Sequence, residues 1–263
     1  MQARLLPDGR LHLNDGPIDL IIGADGPPAA IRTAYRAAAI RFATVLDELC
    51  AELPLLRRRA AANAAPDGVI AQSMWRAVCR HAGFITPMAA VAGAVADTTL
   101  RAMTDTAALD RAFVNNGGDI ALYLAPGHTY AIGLVDRPDW PSLLPARIDA
   151  PCGIATSGWR GRSFSLGIAD AVTVQAADAA TADAAATVIA NAVDLPGHPA
   201  IARRPASTMQ PDSDLGDRLV TTGVGPLTDA EIARALDRGA ACALALPLAA
   251  IVLRLGEQTR VIG

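Results

Sequence analysis

The sequence predicts an α+β protein in which antiparallel β-sheet packs against helices. Apolar residues recur at helical spacing in an alanine- and arginine-rich stretch, at Ile31, Tyr35, Ala38 and Phe42. After residue 109 the period changes to two, as in residues 120–124, which is typical of strands. Because helical and strand segments cluster twice, we expect one domain over residues 1–263 made of two fused halves, at about 1–105 and 106–263, although no internal repeat marks the division.

The first half is predicted to begin with strands and to continue with helices. Pro7-Asp8-Gly9 is a turn signature within residues 5–22, where two or three short strands are expected. Helices are predicted from Pro27-Pro28 to about residue 54, over residues 69–82, and from a Thr86-Pro87 cap into residues 89–96.

The second half is predicted to hold most of the strands. They are expected at residues 120–124, with 128–135 as their hairpin partner, and then at 147–157, 171–175 and 219–222. A helix is predicted over residues 181–193, a polar, proline-rich loop over 195–215, a helix starting at the capping box Thr228-x-x-Glu231, and a closing hairpin of 251–255 with 260–262.

Composition excludes several classes of protein. The chain of 263 residues is 52% hydrophobic and 19% charged, which is enough apolar material for a packed core. All 23 basic residues are arginine, so no lysine is present for a Schiff base or a P-loop. With a net charge of -3 and no basic stripe, nucleic acid is not an expected partner.

Cysteine spacing and hydropathy set the expected location. Cys50, Cys79, Cys152 and Cys242 form no C-x-x-C pair and are interpreted as buried, reduced thiols. Residues 1–10 lack the apolar stretch of a signal peptide, and the most apolar run, residues 239–253, is too short to cross a bilayer. We therefore expect a cytoplasmic protein without a membrane partner, and the sequence leaves a homodimer open.

Three segments carry groups that could bind a ligand. The first is Asn115-Asn116-Gly117-Gly118-Asp119, whose glycines could bring backbone N–H groups against an anion, although Asn-Gly is also a common hairpin turn. The second is Thr156-Ser157-Gly158 through Arg162, in which Arg160 and Arg162 suit a phosphate but could equally shape a solvated turn.

The third segment offers oxygen ligands on a helix. Asp183 and Thr187 lie four residues apart on one helical face, and magnesium prefers such carboxylate and hydroxyl oxygens. Helix capping and the helix dipole are the alternative explanation for Asp183 in the first turn.

In this order, the segments resemble the ApbE family of flavin transferases and, more closely, its uncharacterised cytoplasmic relatives. The likeness covers most of residues 84–195 and is carried by Phe84-Ile85-Thr86-Pro87-Met88 through Asp97, the Asn-Asn-Gly-Gly-Asp segment, the segment from Thr156 to Arg162, and Ala169-Asp170-Ala171-Val172-Thr173-Val174 before the Asp183 helix. The Asp212-Ser213-Asp214-Leu215-Gly216-Asp217 stretch extends it.

The resemblance implies a fold of two fused halves that holds a flavin dinucleotide, FAD, with Mg²⁺ between its phosphates and protein oxygens. It implies Asp183 and Thr187 as metal ligands. Family enzymes move FMN from the dinucleotide onto a threonine of a target protein. The positions that it places around the ligand are Asn116, Gly117, Gly118, Asp119, Thr156, Ser157 and Gly158. Our candidate ligand contacts also include Thr86, Met88, Asn115, Arg160 and Arg162.

The sequence departs from the family pattern at two places that matter for catalysis. Ala92 stands where the transferases carry a lysine, and a compact stretch, residues 161–167, replaces their loop that bears histidine and aspartate. Asp170 is the carboxylate nearest to replacing the lost base and is our candidate catalytic residue. Three functions remain: a Mg-dependent transferase or hydrolase of a flavin-like nucleotide, a non-catalytic protein that binds a phosphorylated cofactor, and a role in pterin-linked one-carbon cofactor metabolism.

Overall fold

The computed structural model describes residues 1–60, 65–133 and 145–263, and most of its strands join one large sheet. The sheet begins with a meander of β1 (Gln2–Leu5), β2 (Leu11–Asp15) and β3 (Ile18–Asp25). In spatial order it continues through β4 (Arg111–Asn116), β5 (Asp119–Leu124), β8 (Cys152–Ser157), β9 (Ala171–Ala176), β12 (Ala250–Leu255) and β13 (Gln258–Ile262). Each neighbouring pair is antiparallel.

Helices pack on one face of this sheet, which confirms the predicted α+β class. The described helices are α1 (Pro28–Phe42), α2 (Val45–Leu56), α3 (Val69–Val78), α4 (Val91–Thr104), α5 (Ala179–Ala192), α6 (Ala206–Met209) and α7 (Asp229–Leu244), with a 3-10 turn at Pro87–Ala90. The four-residue α6 is the exception, because it belongs to the tip of a separate ribbon. α4 lies against β4 and β5, α5 against β8 and β9, and α7 against β12 and β13. Within the described ranges, none of these helices combines the length and hydropathy needed to cross a bilayer.

Very close packing joins α4, α5 and the sheet. A Cβ on Gly93 of α4 would lie 2.1 Å from the Ala179 carbonyl oxygen, and one on Gly153 of β8 would lie 2.1 Å from the Ala179 nitrogen. Only glycine fits at both positions, so the start of α5 is held between α4 and the centre of the sheet. α4 and β8, whose segments carry predicted ligand residues, therefore meet at this start.

Two short ribbons accompany the main sheet. β6 (Tyr130–Gly133) pairs with β7 (Pro145–Ile148), and β10 (Ile201–Pro205) pairs with β11 (Leu219–Val224). The first ribbon covers apolar residues on the face of the sheet opposite the helices, where Tyr130 and Ile132 pack with Leu122 and Leu124. Residues 206–218 form the tip of the second ribbon, which includes α6.

The structure corrects the prediction of one helix up to residue 54. The chain leaves the helix after Phe42 and begins α2 at Val45. At this break the Thr44 hydroxyl bonds to the Arg41 carbonyl and to Glu48, and Arg41 forms a bidentate ion pair with Glu48. Threonine side chains compete with helical backbone bonds in this way, which explains the break.

Strand pairing also differs from the prediction. Residues 128–135 do not form the hairpin partner of β5, because β8 already occupies that edge of β5, and the described part of this segment pairs with β7 instead. Residues 134 and 135 lie outside the described residues. The predicted strand at 147–157 is two strands separated by Asp149-Ala150-Pro151, since proline cannot donate to the ladder.

The predicted loop at residues 195–215 is wrong in its middle. It contains β10 and α6, and residues 201–205 alternate between partly buried and exposed side chains, as expected of a strand. The closing hairpin of β12 and β13, the α7 helix and its capping box between Thr228 and Glu231 are confirmed.

The prediction of four buried thiols is wrong for most of the cysteines. All four are free, but Cys50 is exposed, Cys79 and Cys242 are partly exposed, and only Cys152 is buried. Burial raises the pKa of the Cys152 thiol to about 11, so that thiol stays protonated at neutral pH.

Candidate functional site

A tight turn between β4 and β5 forms one wall of the site. Asn116 pairs with Asp119, and the two residues between them, Gly117 and Gly118, have φ of 66° and 116°. Positive φ at both central positions matches a primed hairpin turn, so the hairpin interpretation of this segment is confirmed. The Asn115 side chain accepts a hydrogen bond from the Gly118 N–H at 2.8 Å and fixes the turn.

Arg162 reaches this turn from the loop after β8. Its Nη2 lies 1.7 Å from the place that a Cβ on Gly117 would occupy, so the absence of a side chain there lets the guanidinium lie directly on the turn. Burial raises the pKa of Asp119, and the Arg162 charge lowers it. Arg162 and the glycine turn, which belong to two of the predicted ligand segments, thus lie in contact.

Two carboxyl groups lie close together beneath the turn. Burial raises the pKa of Asp119 to about 6, although the Thr156 N–H and the Arg162 charge lower it. Burial also raises the pKa of Asp183 well above its usual range, and the Asp119 charge raises it further. Two such groups resist simultaneous ionisation unless a cation joins them, which makes this acidic pair the electrostatic centre of the site.

Backbone N–H groups bind these carboxylates. The Gly93 N–H donates to Asp183 Oδ2 at 3.0 Å, and the Thr156 N–H donates to Asp119 Oδ1 at 3.2 Å. Asn116 is buried and donates from Nδ2 to the Ala92 carbonyl at 3.1 Å, which ties the turn to the start of α4. Thr156, Asn116 and Asp119 therefore meet Asp183 through one connected set of contacts.

Asp97 is a partly buried carboxylate that the sequence reasoning did not assign. It accepts hydrogen bonds from the first backbone N–H groups of α5, Ala179 at 3.0 Å and Ala180 at 2.9 Å. Burial raises its pKa to about 6, and these two hydrogen bonds lower it. Asp97 is the last residue of the segment of residues 84–97, which carries part of the family resemblance. Its hydrogen-bond partner Ala179 lies 82 residues away along the chain, so no local pattern could reveal the contact.

Ser157 ends β8 beside the same wall, and Gly158 follows it. The Thr156 hydroxyl shares a hydrogen bond of 2.8 Å with that of Thr173 on β9. A Cβ on Gly158 would come within 2.4 Å of the Asp170 carbonyl oxygen, so close packing accounts for this glycine. A ligand role for Ser157 and Gly158 stays a prediction.

Asp170 and Arg160 form a separate contact group. Asp170 Oδ1 accepts from Arg160 Nε at 2.6 Å and from Trp159 Nε1 at 3.1 Å, and its Oδ2 accepts from the Gly256 N–H at 2.7 Å. The Arg160 guanidinium also stacks on the Trp159 ring at 4.6 Å. These contacts give Asp170 a structural role, and the structure does not bring Arg160 to the acidic pair with Arg162.

Thr86 and Met88 lie at the entrance to α4. The sequence predicted that Thr86 caps the helix, but its side chain makes no such bond and instead donates its hydroxyl hydrogen to the Asp214 carboxylate. Met88 is partly buried against the core. Asp214 belongs to the tip of the β10–β11 ribbon, so the Asp212–Asp217 stretch reaches this region from far along the chain.

The oxygens near Asp183 suit a hard cation. Thr187 lies one helical turn after Asp183 on the same face of α5, as predicted. No group of three or more His, Cys, Asp or Glu side chains within the described ranges could enclose a metal by itself. A cation here would therefore take its remaining ligands from water or from a phosphate, which is how magnesium usually binds.

A family model described as "AbpE bacteria" matches residues 3–261. The chain belongs to this family. The AbpE bacteria model extends over both predicted halves and over the ribbon tip, so the site residues and the Asp212–Asp217 stretch all lie within the family region.

Relatives with higher identity match a shorter part of the chain than the AbpE bacteria model does. A UPF0280 protein of Methanothrix thermoacetophila is 41% identical over 113 residues, or 41% of this chain and 46% of its own length. A UPF0280 protein of Methanopyrus kandleri is 41% identical over 110 residues, 41% of this chain and 43% of its own length. The chain thus spans under half the length of these relatives.

Solved structures also resemble this member of the AbpE bacteria family. The flavin transferase ApbE from Vibrio cholerae aligns over 99% of this chain and 97% of its own, with a TM-score of 0.42 and 14% identity. A point mutant of the same Vibrio cholerae enzyme aligns over 96% of each chain, with a TM-score of 0.44 and 12% identity.

Proposed function

We propose that this protein binds a phosphorylated cofactor of the flavin or nucleotide type together with Mg²⁺ at the acidic pair. The observation that carries the proposal is that two partly buried carboxyls, Asp119 and Asp183, lie within electrostatic reach of each other beside a glycine turn on which Arg162 lies. A cation stabilises two carboxylates held close together, and an arginine on exposed backbone suits an anion. A metal–phosphate pair supplies both. Membership in the AbpE bacteria family supports a flavin-related role.

Asp183, Thr187 and Asp119 are the residues that would hold the cation. Carboxylate and hydroxyl oxygens fit the preference of Mg²⁺, and the Gly93 N–H keeps Asp183 in one orientation. When bound, the metal would offset negative charge on the ligand phosphates and on the carboxylate pair. The role of Arg162 is to position a phosphate next to it by a bidentate contact.

A non-catalytic binding function is the second candidate, and the contacts of Asp170 favour it. Transfer of FMN or hydrolysis of a pyrophosphate needs a base to activate the attacking hydroxyl or water. Asp170, the candidate base, is occupied by Trp159, Arg160 and Gly256. Ala92 supplies no ionisable group in place of the lysine that the transferases carry.

Calorimetry with FAD tests the proposal, with MgCl₂ in one series and EDTA in the other. We expect Mg-dependent binding that Asp183→Asn abolishes, whereas Asp105→Asn, which changes an exposed aspartate at the end of α4, leaves it intact. Arg162→Gln should weaken binding by about 1.5 kcal/mol or more, the lower range for a charged hydrogen bond.

Arg160→Gln is the matched control for Arg162→Gln, because both arginines lie in the same loop and only Arg162 reaches the glycine turn. Binding that does not depend on Mg²⁺, or that survives Asp183→Asn in a folded variant, would refute the metal assignment. Equal losses from the two arginine variants would refute the phosphate contact.

A further inference from the structure

A groove lies between α7 and the loop that follows α5, and it shares no residue with the acidic pair. Its volume is about 590 Å³, within the range of small-molecule sites. It is lined by residues 194–199 on one side and by Arg234, Asp237 and Arg238 of α7 on the other. Its lining thus combines apolar ring and aliphatic surface on one side with charged side chains of α7 on the other.

The acidic groups of the groove already have partners. Asp194 pairs with Arg203, and Asp237 lies 3.6 Å from Arg260 Nε. Glu231 lies one turn before Arg234 on α7. One of its carboxylate oxygens bonds to His198 and the other to Thr228. Each of these acidic groups therefore already has a hydrogen-bond or ion-pair partner other than Arg234 and Arg238.

Arg234 and Arg238 form an unmatched pair of cations. They are four residues apart on α7, so both point to the same side of the helix, and both are exposed. Neither has an ion-pair partner in the described part of the chain, residues 1–60, 65–133 and 145–263. Like charges at this spacing repel each other, and an anion bound between them would remove that repulsion.

The opposite wall of the groove is held rigidly. The Ala200 N–H donates to His198 Nδ1 at 3.2 Å, so the ring proton lies on Nε2, which is 2.9 Å from Glu231 Oε1. Pro196 and Pro199 restrict the backbone on either side. A preformed wall lowers the entropy cost of binding.

We propose that this groove is a second small-molecule site, which binds a phosphorylated compound with an apolar body. The phosphate would lie between Arg234 and Arg238, each able to donate a forked pair of hydrogen bonds. The apolar body would pack against Leu195, Pro196 and Pro199. The site is independent of Mg²⁺, because guanidinium groups supply the positive charge that binds the phosphate, and it does not rest on the function proposed for the acidic pair.

Calorimetry with phenyl phosphate in EDTA tests this site separately from the acidic pair. We expect wild-type protein to bind phenyl phosphate more tightly than inorganic phosphate, because only the former can cover the proline wall. The double variant Arg234→Gln, Arg238→Gln should weaken phenyl phosphate binding by about tenfold or more. Arg162→Gln should leave it unchanged.

A second arginine pair provides the matched control. Arg32 and Arg36 on α1 have the same spacing and are also exposed, but neither lines the groove. Arg32→Gln with Arg36→Gln should therefore retain wild-type affinity. The proposal is overturned if wild-type protein does not bind phenyl phosphate, if the two double variants lose affinity equally, or if Arg162→Gln weakens binding as much as the α7 variant does.

Discussion

At the scale of single residues, the acidic pair shows which part of the site the sequence can predict. The sequence identifies both Asp119 and Asp183 as candidates, because each stands in a segment rich in polar groups or small residues. Their proximity and the hydrogen bond from the Gly93 N–H come from tertiary packing, as do the bonds of Asp97 to α5. Contacts between residues far apart along the chain leave no local spacing, so sequence alone identifies candidates but not their arrangement.

The raised pKa of Asp119 predicts a dependence of stability on pH. The folded protein keeps a proton on this carboxyl up to about pH 6, whereas the unfolded chain loses it near the usual aspartate pKa of 3.8. The folded state therefore binds more protons in this window, and the free energy of unfolding should fall as the pH rises from about 4 to 6. The stability that protonated Asp119 gives to the folded state is fully present below this window and is lost above it.

Asp119→Asn isolates this effect, because the amide cannot ionise. Denaturant unfolding of both proteins between pH 4 and 7 should give a variant that gains stability relative to wild type as pH rises, by at most about 3 kcal/mol. Asp105→Asn serves as the exposed control. Its difference in stability from wild type should not change with pH. A difference between wild type and Asp119→Asn that stays constant with pH contradicts the assigned pKa.

At the scale of secondary-structure elements, local signals predicted helix starts and turns better than strand partners. The α7 capping box and the closing hairpin depend on residues within a few positions of one another, and both are confirmed. The break at Thr44 depends on a side-chain network with Arg41 and Glu48, and the pairing of β6 depends on a competing strand. The spacing of apolar residues along the chain does not show which of several possible strands or side chains a residue will contact.

The contact of α4 with α5 predicts a large effect of one methyl group. Gly93→Ala would place its Cβ 2.1 Å from the Ala179 carbonyl oxygen, so the two helices must separate. We expect a loss of about 1–3 kcal/mol in the free energy of unfolding, as for other overpacked cores. Urea denaturation measures it.

Gly83→Ala is the control for this substitution. Gly83 precedes the same segment, and no atom lies within 4 Å of a Cβ built on it. That variant should be neutral or slightly stabilising, because alanine reduces the freedom of the unfolded chain. Equal stability of the two alanine variants would show that α4 and α5 are not packed this closely.

At the scale of the whole molecule, one sheet spans both predicted halves. β3, from the first half, pairs with β4, from the second, and the ribbon tip returns to the first half through the Thr86–Asp214 contact. Arg57 adds an ion pair of 2.9 Å to Asp212, and the Arg218 guanidinium stacks on the Phe84 ring at 3.2 Å. These contacts connect distant parts of the chain around the entrance to α4.

The complete arrangement predicts that this protein will not flavinylate an acceptor at the rate of an active ApbE transferase, even when it binds flavin. General acid–base help contributes about 10²- to 10⁴-fold to such reactions, and the nearest candidate base, Asp170, is held in three structural hydrogen bonds. Incubation with FAD, Mg²⁺ and an acceptor domain that contains the target threonine, followed by in-gel fluorescence, measures the transfer.

An active ApbE transferase is the positive control in that assay, and Asp170→Asn distinguishes the explanations for any labelling. Efficient labelling that Asp170→Asn abolishes without unfolding the protein would show that Asp170 acts as the base after all. Labelling that persists in Asp170→Asn would assign the activation to another group.

The hydrogen bond between Gly93 and Asp183 also makes one amide proton a reporter for the site. The Gly93 N–H is held by the same carboxylate that is proposed to bind the cation. A cation on Asp183 would draw electron density away from that oxygen and weaken its acceptance of the hydrogen bond. In a ¹⁵N-labelled sample the Gly93 cross-peak should therefore shift upon titration with Mg²⁺ and nucleotide, so that occupancy can be followed at a backbone position without altering any side chain.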